Sequence, residues 1–261
     1  MQPIANYMAR AKYVIAVLSA ALATVAYFVL QPSPLLGPIT DWMFALASGI
    51  CSLLAFLVIR RWGYQGRFGA VHTGMFLGIF LWFLGDTAWA VYGTFFQVAI
   101  PYPSFADVFY LSAYVPIVVG VIQFLRIFRH SLSRERAITA LVVGLLTLGL
   151  TSVLLIGPLL LSSEDILTKF FDLAYPVLDS VLVVLVFFML FAFRGGKMEK
   201  SWIWIAFGLL LNAAADILFS LGTLQGWYYS GHPIELVQLW SYISLGLGFY
   251  EQIGFYDQLR P

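Results

Sequence analysis

Long apolar runs restrict this fold more than any other feature of the sequence. Residues 137–163, for example, carry no charged side chain. About 20 apolar residues in a helix, at about 1.5 Å each, cross a hydrocarbon core of about 30 Å. Runs of this kind lie near residues 13–30, 40–59, 69–95, 106–126, 137–161, 168–193, 201–223 and 234–256. Because lipid satisfies no backbone polar group, these runs predict an all-α membrane protein with eight transmembrane helices.

The composition excludes a soluble globular domain. The 261 residues are 61% hydrophobic and only 10% charged, whereas soluble domains are roughly 25% charged. We therefore expect one integral membrane domain over residues 1–261, with the lipid bilayer as its main partner and no nucleic acid. The apolar run near the N-terminus follows a short basic segment, as in a signal peptide, but it lacks a small-residue cleavage site, so we interpret it as the first span.

The Lys and Arg positions predict the orientation. Positive residues accumulate in short cytoplasmic loops. With eight spans, 13 of the 14 Lys and Arg residues fall on one side, and Lys169 alone falls on the other. The predicted cytoplasmic set is Arg10, Lys12, Arg60, Arg61, Arg67, Arg126, Arg129, Arg134, Arg136, Arg194, Lys197, Lys200 and Arg260. We therefore expect a multi-pass protein of the cell membrane with both termini in the cytoplasm.

The eight runs divide into two sets of four, which suggests parallel repeats over residues 1–130 and 131–261. Aligning Asp86 with Asp216 also aligns Pro103 with Pro233, so the halves share a separation of 17 residues. Identity between the halves is otherwise slight, and independent selection of similar loops is the alternative.

Seven acidic residues of the predicted spans are functional candidates, because an ionisable group there costs about 2.5 to 3.5 kcal/mol on insertion scales. They are Asp86, Asp107, Asp172, Asp179, Asp216, Glu235 and Glu251. Counted from the cytoplasmic loops, all but Glu251 lie from the middle of the bilayer outward.

Helical spacing places several of these acids beside aromatic or amide side chains. Asp172, Tyr175 and Asp179 follow i, i+3, i+7 spacing on one helix face, and Asn212 precedes Asp216 by one turn. We predict an acidic, aromatic-lined ligand pocket in the outer half of the bilayer, with Trp240 and Tyr242 as further aromatic candidates. Its predicted site residues are Asp86, Trp89, Tyr92, Asp107, Tyr110, Tyr114, Asp172, Tyr175, Asp179, Asn212 and Asp216. The alternative is that the acids only hold helices together.

We expect no cofactor and no metal. His72, His130 and His232 lie in three separate regions, so no pair can clamp a haem within the bilayer. The last two spans offer no lysine for a retinal Schiff base, and the single Cys51 lies inside a span. Phosphate-binding loops, nucleophile elbows and paired metal motifs are also absent from the sequence.

One stretch carries a resemblance to a family. Gly85-Asp86-Thr87-Ala88-Trp89-Ala90-Val91-Tyr92, followed by Pro101-Tyr102-Pro103-Ser104-Phe105-Ala106-Asp107-Val108-Phe109-Tyr110-Leu111 and Tyr114, resembles multi-span input domains. Those domains precede diguanylate cyclase or histidine kinase modules in bacterial and archaeal signalling proteins. The resemblance implies a sensor with an undefined small ligand and a cytoplasmic kinase or cyclase module as its output, either within a longer protein or as a separate partner. A homodimer is a further assembly that we consider.

A second resemblance belongs to another functional class. The lysoplasmalogenase family has eight spans with a Gly-Asp pair and a later Asp, similar to Gly85-Asp86 and Asp216. It implies an intramembrane lipid hydrolase using paired carboxylates. This chain has Asp107 where that family is expected to carry a histidine. A small-solute transporter is the third hypothesis.

The predicted orientation can be tested by thiol labelling in a Cys51→Ala background. Cysteines at Ser33, Ser104, Ser163 and Ser230 should react with an impermeant reagent applied to intact cells. Cysteines at Gly66, Ser131 and Gly196 should stay unlabelled until the membrane is permeabilised. Labelling of an inner site in intact cells would contradict the eight-span topology.

Overall fold

A computed structural model describes residues 2–31, 33, 35–96, 103–163, 165–192, 196 and 198–259, with side chains from residue 11 onward. Pro101 and Tyr102 of the sensor-like motif lie outside these residues, as do Arg194, Lys197 and Arg260 of the predicted cytoplasmic set. The described chain forms helices and no strands. They are α1 (Gln2–Val29), α2 (Leu36–Trp62), α3 (Gly66–Val91), α4 (Phe105–Phe128), α5 (Arg134–Thr151), α6 (Gly157–Leu161), α7 (Ile166–Ala192), α8 (Glu199–Gln225) and α9 (Leu236–Leu259).

Two π-helical turns extend the long helices. The first, Tyr92–Phe96, continues α3, and the second, Ser152–Ile156, joins α5 to α6. Residues 134–161 therefore form one continuous segment of 28 residues. Single-turn π-bulges of this kind shift the helical register, and they occur often at functional sites.

Seven helical segments in the described chain are long and apolar enough to cross a membrane. They are Ala11–Val29, Leu36–Trp62, Gly66–Phe96, Phe105–Ser131, Arg134–Leu161, Ile166–Ala192 and Glu199–Gln225. The last helix, α9, is also long, with 24 residues, but it is less apolar than the others. Membrane insertion of this chain thus follows from its helices, as the sequence predicts.

Six of the helices pack in a closed ring. Around the ring the order is α2, α3, α4, α7, α8, α9 and back to α2. Outside it, α1 packs on α9 and α5 packs on α7. In a repeat, α2, α3 and α4 would correspond to α7, α8 and α9, and the order of the ring fits this correspondence. Helices α1 and α5 do not fit it, because α1 packs on α9 whereas α5 packs on α7 rather than on α4. The repeat stays a prediction.

Small residues let neighbouring helices of the ring approach closely. A Cβ added to Gly74 of α3 would lie 2.5 Å from the backbone oxygen of Pro116 in α4. A Cβ on Gly248 of α9 would lie 2.9 Å from the backbone oxygen of Ser201 in α8. Membrane helices commonly associate through such positions, because lipid supplies no hydrophobic force to hold them together.

Polar contacts at the two ends fix the relative directions of the helices. At one end Lys12 of α1 pairs with Glu251 of α9 at 2.7 Å, and Arg61 of α2 pairs with Asp257 of α9 at 3.0 Å. At the other end the Tyr27 hydroxyl of α1 donates to Glu235, just before α9, at 2.8 Å. Helix α1 is therefore antiparallel to α9, and Glu251 serves the contact between these two helices.

The structure also shows which labelling sites suit the thiol experiment. Ser104 is buried and its hydroxyl donates to Asp107, while Gly66 and Gly196 have positive φ angles of 77° and 121°, which strain a cysteine. Ser163 and Ser230 are exposed on one side, and Tyr64 and Ser131 are exposed on the other. Ser163 and Ser230 as outer sites, with Tyr64 and Ser131 as inner sites, are therefore better labelling positions than Ser104, Gly66 and Gly196.

Candidate functional site

A cavity of about 470 Å³ lies inside the ring of six helices. Every ring helix contributes a polar side chain to its wall: Asp41 from α2, Asp86 from α3, Tyr110 from α4, Tyr175 from α7, Asp216 from α8 and Tyr242 from α9. Nine of the eleven predicted site residues line it, namely Asp86, Trp89, Asp107, Tyr110, Tyr114, Asp172, Tyr175, Asn212 and Asp216. Residues that are far apart in the sequence therefore meet in one space.

The cavity lies toward one end of the bundle. Asp41 lies in the second turn of α2, Asp107 lies in the first turn of α4, and Glu235 lies just before α9. Asp86 and Asp216 come from the C-terminal parts of α3 and α8, which run in the opposite direction. The N-termini of α2, α4 and α9 thus meet at this end, and their helix dipoles favour negative charge there.

The wall is acidic and aromatic. Six carboxyl groups line it, from Asp41, Asp86, Asp107, Asp172, Asp216 and Glu235, and no Lys, Arg or His is among the described lining residues. Nine aromatic rings complete the wall, from Phe44, Trp82, Trp89, Tyr110, Tyr114, Tyr175, Phe219, Tyr228 and Tyr242. Such a wall suits a cationic guest, since carboxylates and aromatic faces both attract positive charge.

Tyrosine hydroxyls hold the carboxyl group of Asp86. Tyr110 donates to its Oδ1 at 2.9 Å and Tyr242 donates to its Oδ2 at 2.7 Å. These contacts join α3 to α4 and α9 through one carboxyl group that is 6% exposed. Asp86 is thereby fixed in place at the cavity wall.

A second tyrosine contact links two acids of different helices. The Tyr114 hydroxyl donates to Asp179 Oδ1 at 2.5 Å and lies 3.4 Å from Asp216 Oδ2. Asp179 is fully buried, and its Oδ2 has no hydrogen-bond partner among the described residues. Asp216 faces the cavity, whereas Asp179 lies behind Tyr114, outside the lining.

Asp107 is occupied by structural contacts. Its Oδ2 accepts from the backbone N–H and the hydroxyl of Ser104, at 2.6 and 2.8 Å, in a capping box that begins α4. Its Oδ1 accepts from the Tyr175 hydroxyl of α7 at 2.8 Å. For this residue the packing alternative raised by the sequence accounts for both oxygens.

Tyr92 also lies outside the cavity lining. The sequence predicts it as one of the aromatic residues that line the pocket. A π-helical turn begins at Tyr92, and within this turn the Tyr92 ring packs on Phe96 at 5.6 Å. Trp240 is 38% exposed, so Tyr242 is the aromatic residue of that pair that reaches the cavity.

Sequence reasoning missed Asp41 as a site residue. Asp41 is the second residue of the apolar run near residues 40–59, but it is not among the candidate acids predicted from the sequence. The helix instead begins at Leu36, so Asp41 lies in its second turn and is 5% exposed. Leu36 and Gly37, directly after the proline-rich loop, are the sequence feature that could have indicated the earlier start.

Glu235, one of the acids that the sequence places within a span, and Gln238 were not among the predicted site residues, although both line the cavity. Glu235 accepts from the hydroxyls of Tyr27 and Tyr228 and from the Gly231 N–H. Tyr27 lies 208 residues away, so no local spacing predicts its contact with Glu235, whereas Tyr228 and Gly231 precede Glu235 by seven and four residues. Gln238 lies one turn before Tyr242 on the cavity face of α9, in a helix whose polar residues are spread around its circumference.

A second cavity of the protein and its possible metal ligands are weaker candidates for a functional site. A larger groove of about 900 Å³ runs between α1, α2 and α9, but its wall is almost wholly apolar. Within the part of the chain that the structure describes, no group of three or more His, Cys, Asp or Glu side chains could hold a metal ion. The acidic cavity is therefore the candidate site.

No known protein family, curated protein or solved structure matches this chain.

The Tyr114 contact gives a stability prediction. Replacing Tyr114 by Phe removes the hydrogen bond that Asp179 accepts and leaves a fully buried carboxyl group unpaired, which should cost about 1 to 3 kcal/mol. Tyr110→Phe is the matched control, because Asp86 keeps the Tyr242 hydroxyl and the loss should be smaller. Unfolding of the purified protein in detergent measures both, and equal stability of Tyr114→Phe and wild type would contradict the contact.

Proposed function

We propose that this chain is a receptor-like sensory module of the cell membrane that binds a small ligand in the acidic cavity. The proposal includes eight spans, with α9 as the eighth, and both termini in the cytoplasm. Helix α9 contacts α1 near both of its ends, in an antiparallel arrangement. Two helices that lie side by side over the same length cross the same thickness of bilayer, which supports α9 as an eighth span. The one-sided distribution of Lys and Arg supports the orientation.

The cavity inside the ring is the observation that carries the proposal. Ligand sites are typically concave, mostly apolar, and provided with a few convergent polar groups. Here all six ring helices meet around about 470 Å³, a volume within the usual range for small organic ligands. A ligand that contacts six helices at once can shift their relative positions, which is the property that a transmembrane sensor requires.

With the cytoplasmic orientation, the cavity lies in the outer half of the bilayer. A signal would then pass along the helices to their cytoplasmic ends, where the ion pair of Arg61 with Asp257 joins α2 and α9. The resemblance to input domains of cyclases and kinases supports an output module of that kind, with the same chain in a homodimer as one assembly.

An intramembrane hydrolase is the second candidate. The observation that favours it is that Asp86 and Asp216 line the same cavity, where paired carboxylates could share general acid and base roles. The two candidates differ in turnover: the hydrolase would consume a lysoplasmalogen or similar lipid, whereas the sensor would release its ligand unchanged.

The proposal predicts that filling the cavity abolishes ligand binding. A library of small organic cations, anions and neutral molecules is screened by thermal shift on the purified wild type. A ligand at about 100 times its Kd stabilises by about 2.7 kcal/mol, which raises Tm measurably. Each hit is then tested on Ala215→Phe and Ser220→Leu, both in the cavity wall, and on Ser112→Phe, which is exposed on α4.

Hits should stabilise the wild type and Ser112→Phe but neither cavity variant. Two cavity variants are used so that a folding defect in one leaves the experiment decisive. Hits that stabilise all four proteins equally would contradict a ligand site in the cavity. Conversion of a hit to products by the wild type would contradict the sensor hypothesis and support the hydrolase.

A further inference from the structure

The acidic cavity contains hydrogen-bond acceptors that lack donors. Asn212 lines the cavity and is 1% exposed, and its Oδ1 has no partner among the described residues. Gln238 Oε1, also in the wall, is buried and unpaired within the same described chain. A buried polar atom without a partner costs free energy, so each such atom requires an explanation.

These acceptors lie beside a carboxyl group that is only weakly engaged. Asp216 follows Asn212 by one helical turn, so both project from the same face of α8 into the cavity. Its described hydrogen bond is the 3.4 Å contact with Tyr114, whose hydroxyl lies much closer to Asp179, at 2.5 Å. By contrast, Asp86 and Asp107 each accept two or more closer hydrogen bonds.

The lining also lacks the cationic donors that would balance this set. Its described hydroxyl groups from Tyr110, Tyr114 and Tyr242 are already directed at carboxyl groups. A guest that completes the site would donate hydrogen bonds to these acceptors, and a positive charge on that guest would match the carboxyl groups of the wall. Hydrogen bonds between a charged donor and a carboxylate are roughly twice as strong as neutral ones, which makes such a guest the best match to the wall.

We propose that the ligand of this cavity is an organic cation bearing a primary ammonium group, which donates to Asp216, Asn212 and Gln238 while its organic part packs against the aromatic wall. This inference rests on the proposed function. It deepens that function by naming the class of ligand. A quaternary ammonium ion carries the charge but cannot donate, and an alcohol of the same size donates without charge, so both are poorer ligands.

Phenethylamine is the probe, compared with trimethylphenethylammonium, phenethyl alcohol and 3-phenylpropionate. Affinities are measured from the dependence of Tm on probe concentration, in nanodiscs of phosphatidylcholine. Phenethylamine should bind at least about tenfold more tightly than each comparison molecule. Equal binding of the quaternary ion would contradict the proposed role of the N–H donors. Stabilisation by calcium or magnesium ions, without stabilisation by the amine, would contradict the proposal that the ligand is an organic cation.

Two variants test the proposed contacts. Asp216→Asn keeps the shape of the side chain but removes its charge, and it should weaken phenethylamine at least about tenfold. Asn212→Leu should weaken the amine while leaving the free protein at least as stable as wild type, because it removes an unpaired buried oxygen. Asp257→Asn removes a carboxylate from the far end of the bundle and is the control. Wild-type affinity in both cavity variants would overturn the proposal.

The same measurement separates this inference from the proposed function. If phenethyl alcohol or 3-phenylpropionate binds instead, and Ala215→Phe and Ser220→Leu abolish that binding, the cavity is a ligand site and the amine is wrong. If no probe or library molecule binds, both proposals fail.

The amine could be free or could belong to a lipid headgroup, and a second nanodisc composition distinguishes these sources. Phosphatidylethanolamine carries a primary ammonium group. If discs containing it block phenethylamine in the wild type, the headgroup is the source of the ammonium; unchanged affinity identifies a free amine. Both results support the proposed ligand chemistry.

Discussion

The cost of placing carboxyl groups inside a bilayer governs the arrangement of this protein. Each acid within a span must face protein, water or a partner rather than hydrocarbon. The ring of six helices meets that requirement by turning its acids toward a common centre. Tyrosine hydroxyls then supply most of the hydrogen bonds, to Asp86, Asp107, Asp179 and Glu235. The cavity and the helix packing are thus two consequences of one constraint.

The acids divide into two kinds when their partners are compared. Asp107 and Glu235 accept three hydrogen bonds each, mostly from groups that begin a helix or close a loop. Asp216 has a weaker contact and faces the cavity beside Asn212, whose oxygen is unpaired among the described residues. The first kind stabilises the ring, and the second kind is the one that we propose for ligand binding. The general cost of an intramembrane charge does not separate these roles, whereas the pattern of partners does.

Much of this architecture could be predicted because helical periodicity is local. The long helices follow from the apolar runs, and the shared face of Asp172 and Tyr175 follows from their spacing. Asp41 lies in the apolar run near residues 40–59, but its burial in the second turn of a helix depends on the start of α2 at Leu36. The π-helical turn that follows α3 at Tyr92–Phe96 has no signal in the apolar pattern. The contact of Glu235 with Tyr27 could not be predicted either, since the two residues are 208 positions apart in the sequence. Contacts between distant segments depend on the order of helices in the ring, which no single span encodes.

An experimental structure of the full chain in lipid nanodiscs tests the central claim most directly. The account predicts a closed ring in the order α2, α3, α4, α7, α8, α9, with Asp86 and Asp216 facing one cavity and the Tyr110 and Tyr242 hydroxyls on Asp86. A ring open to lipid between α4 and α7, or Asp86 and Asp216 facing hydrocarbon or separate spaces, would contradict it.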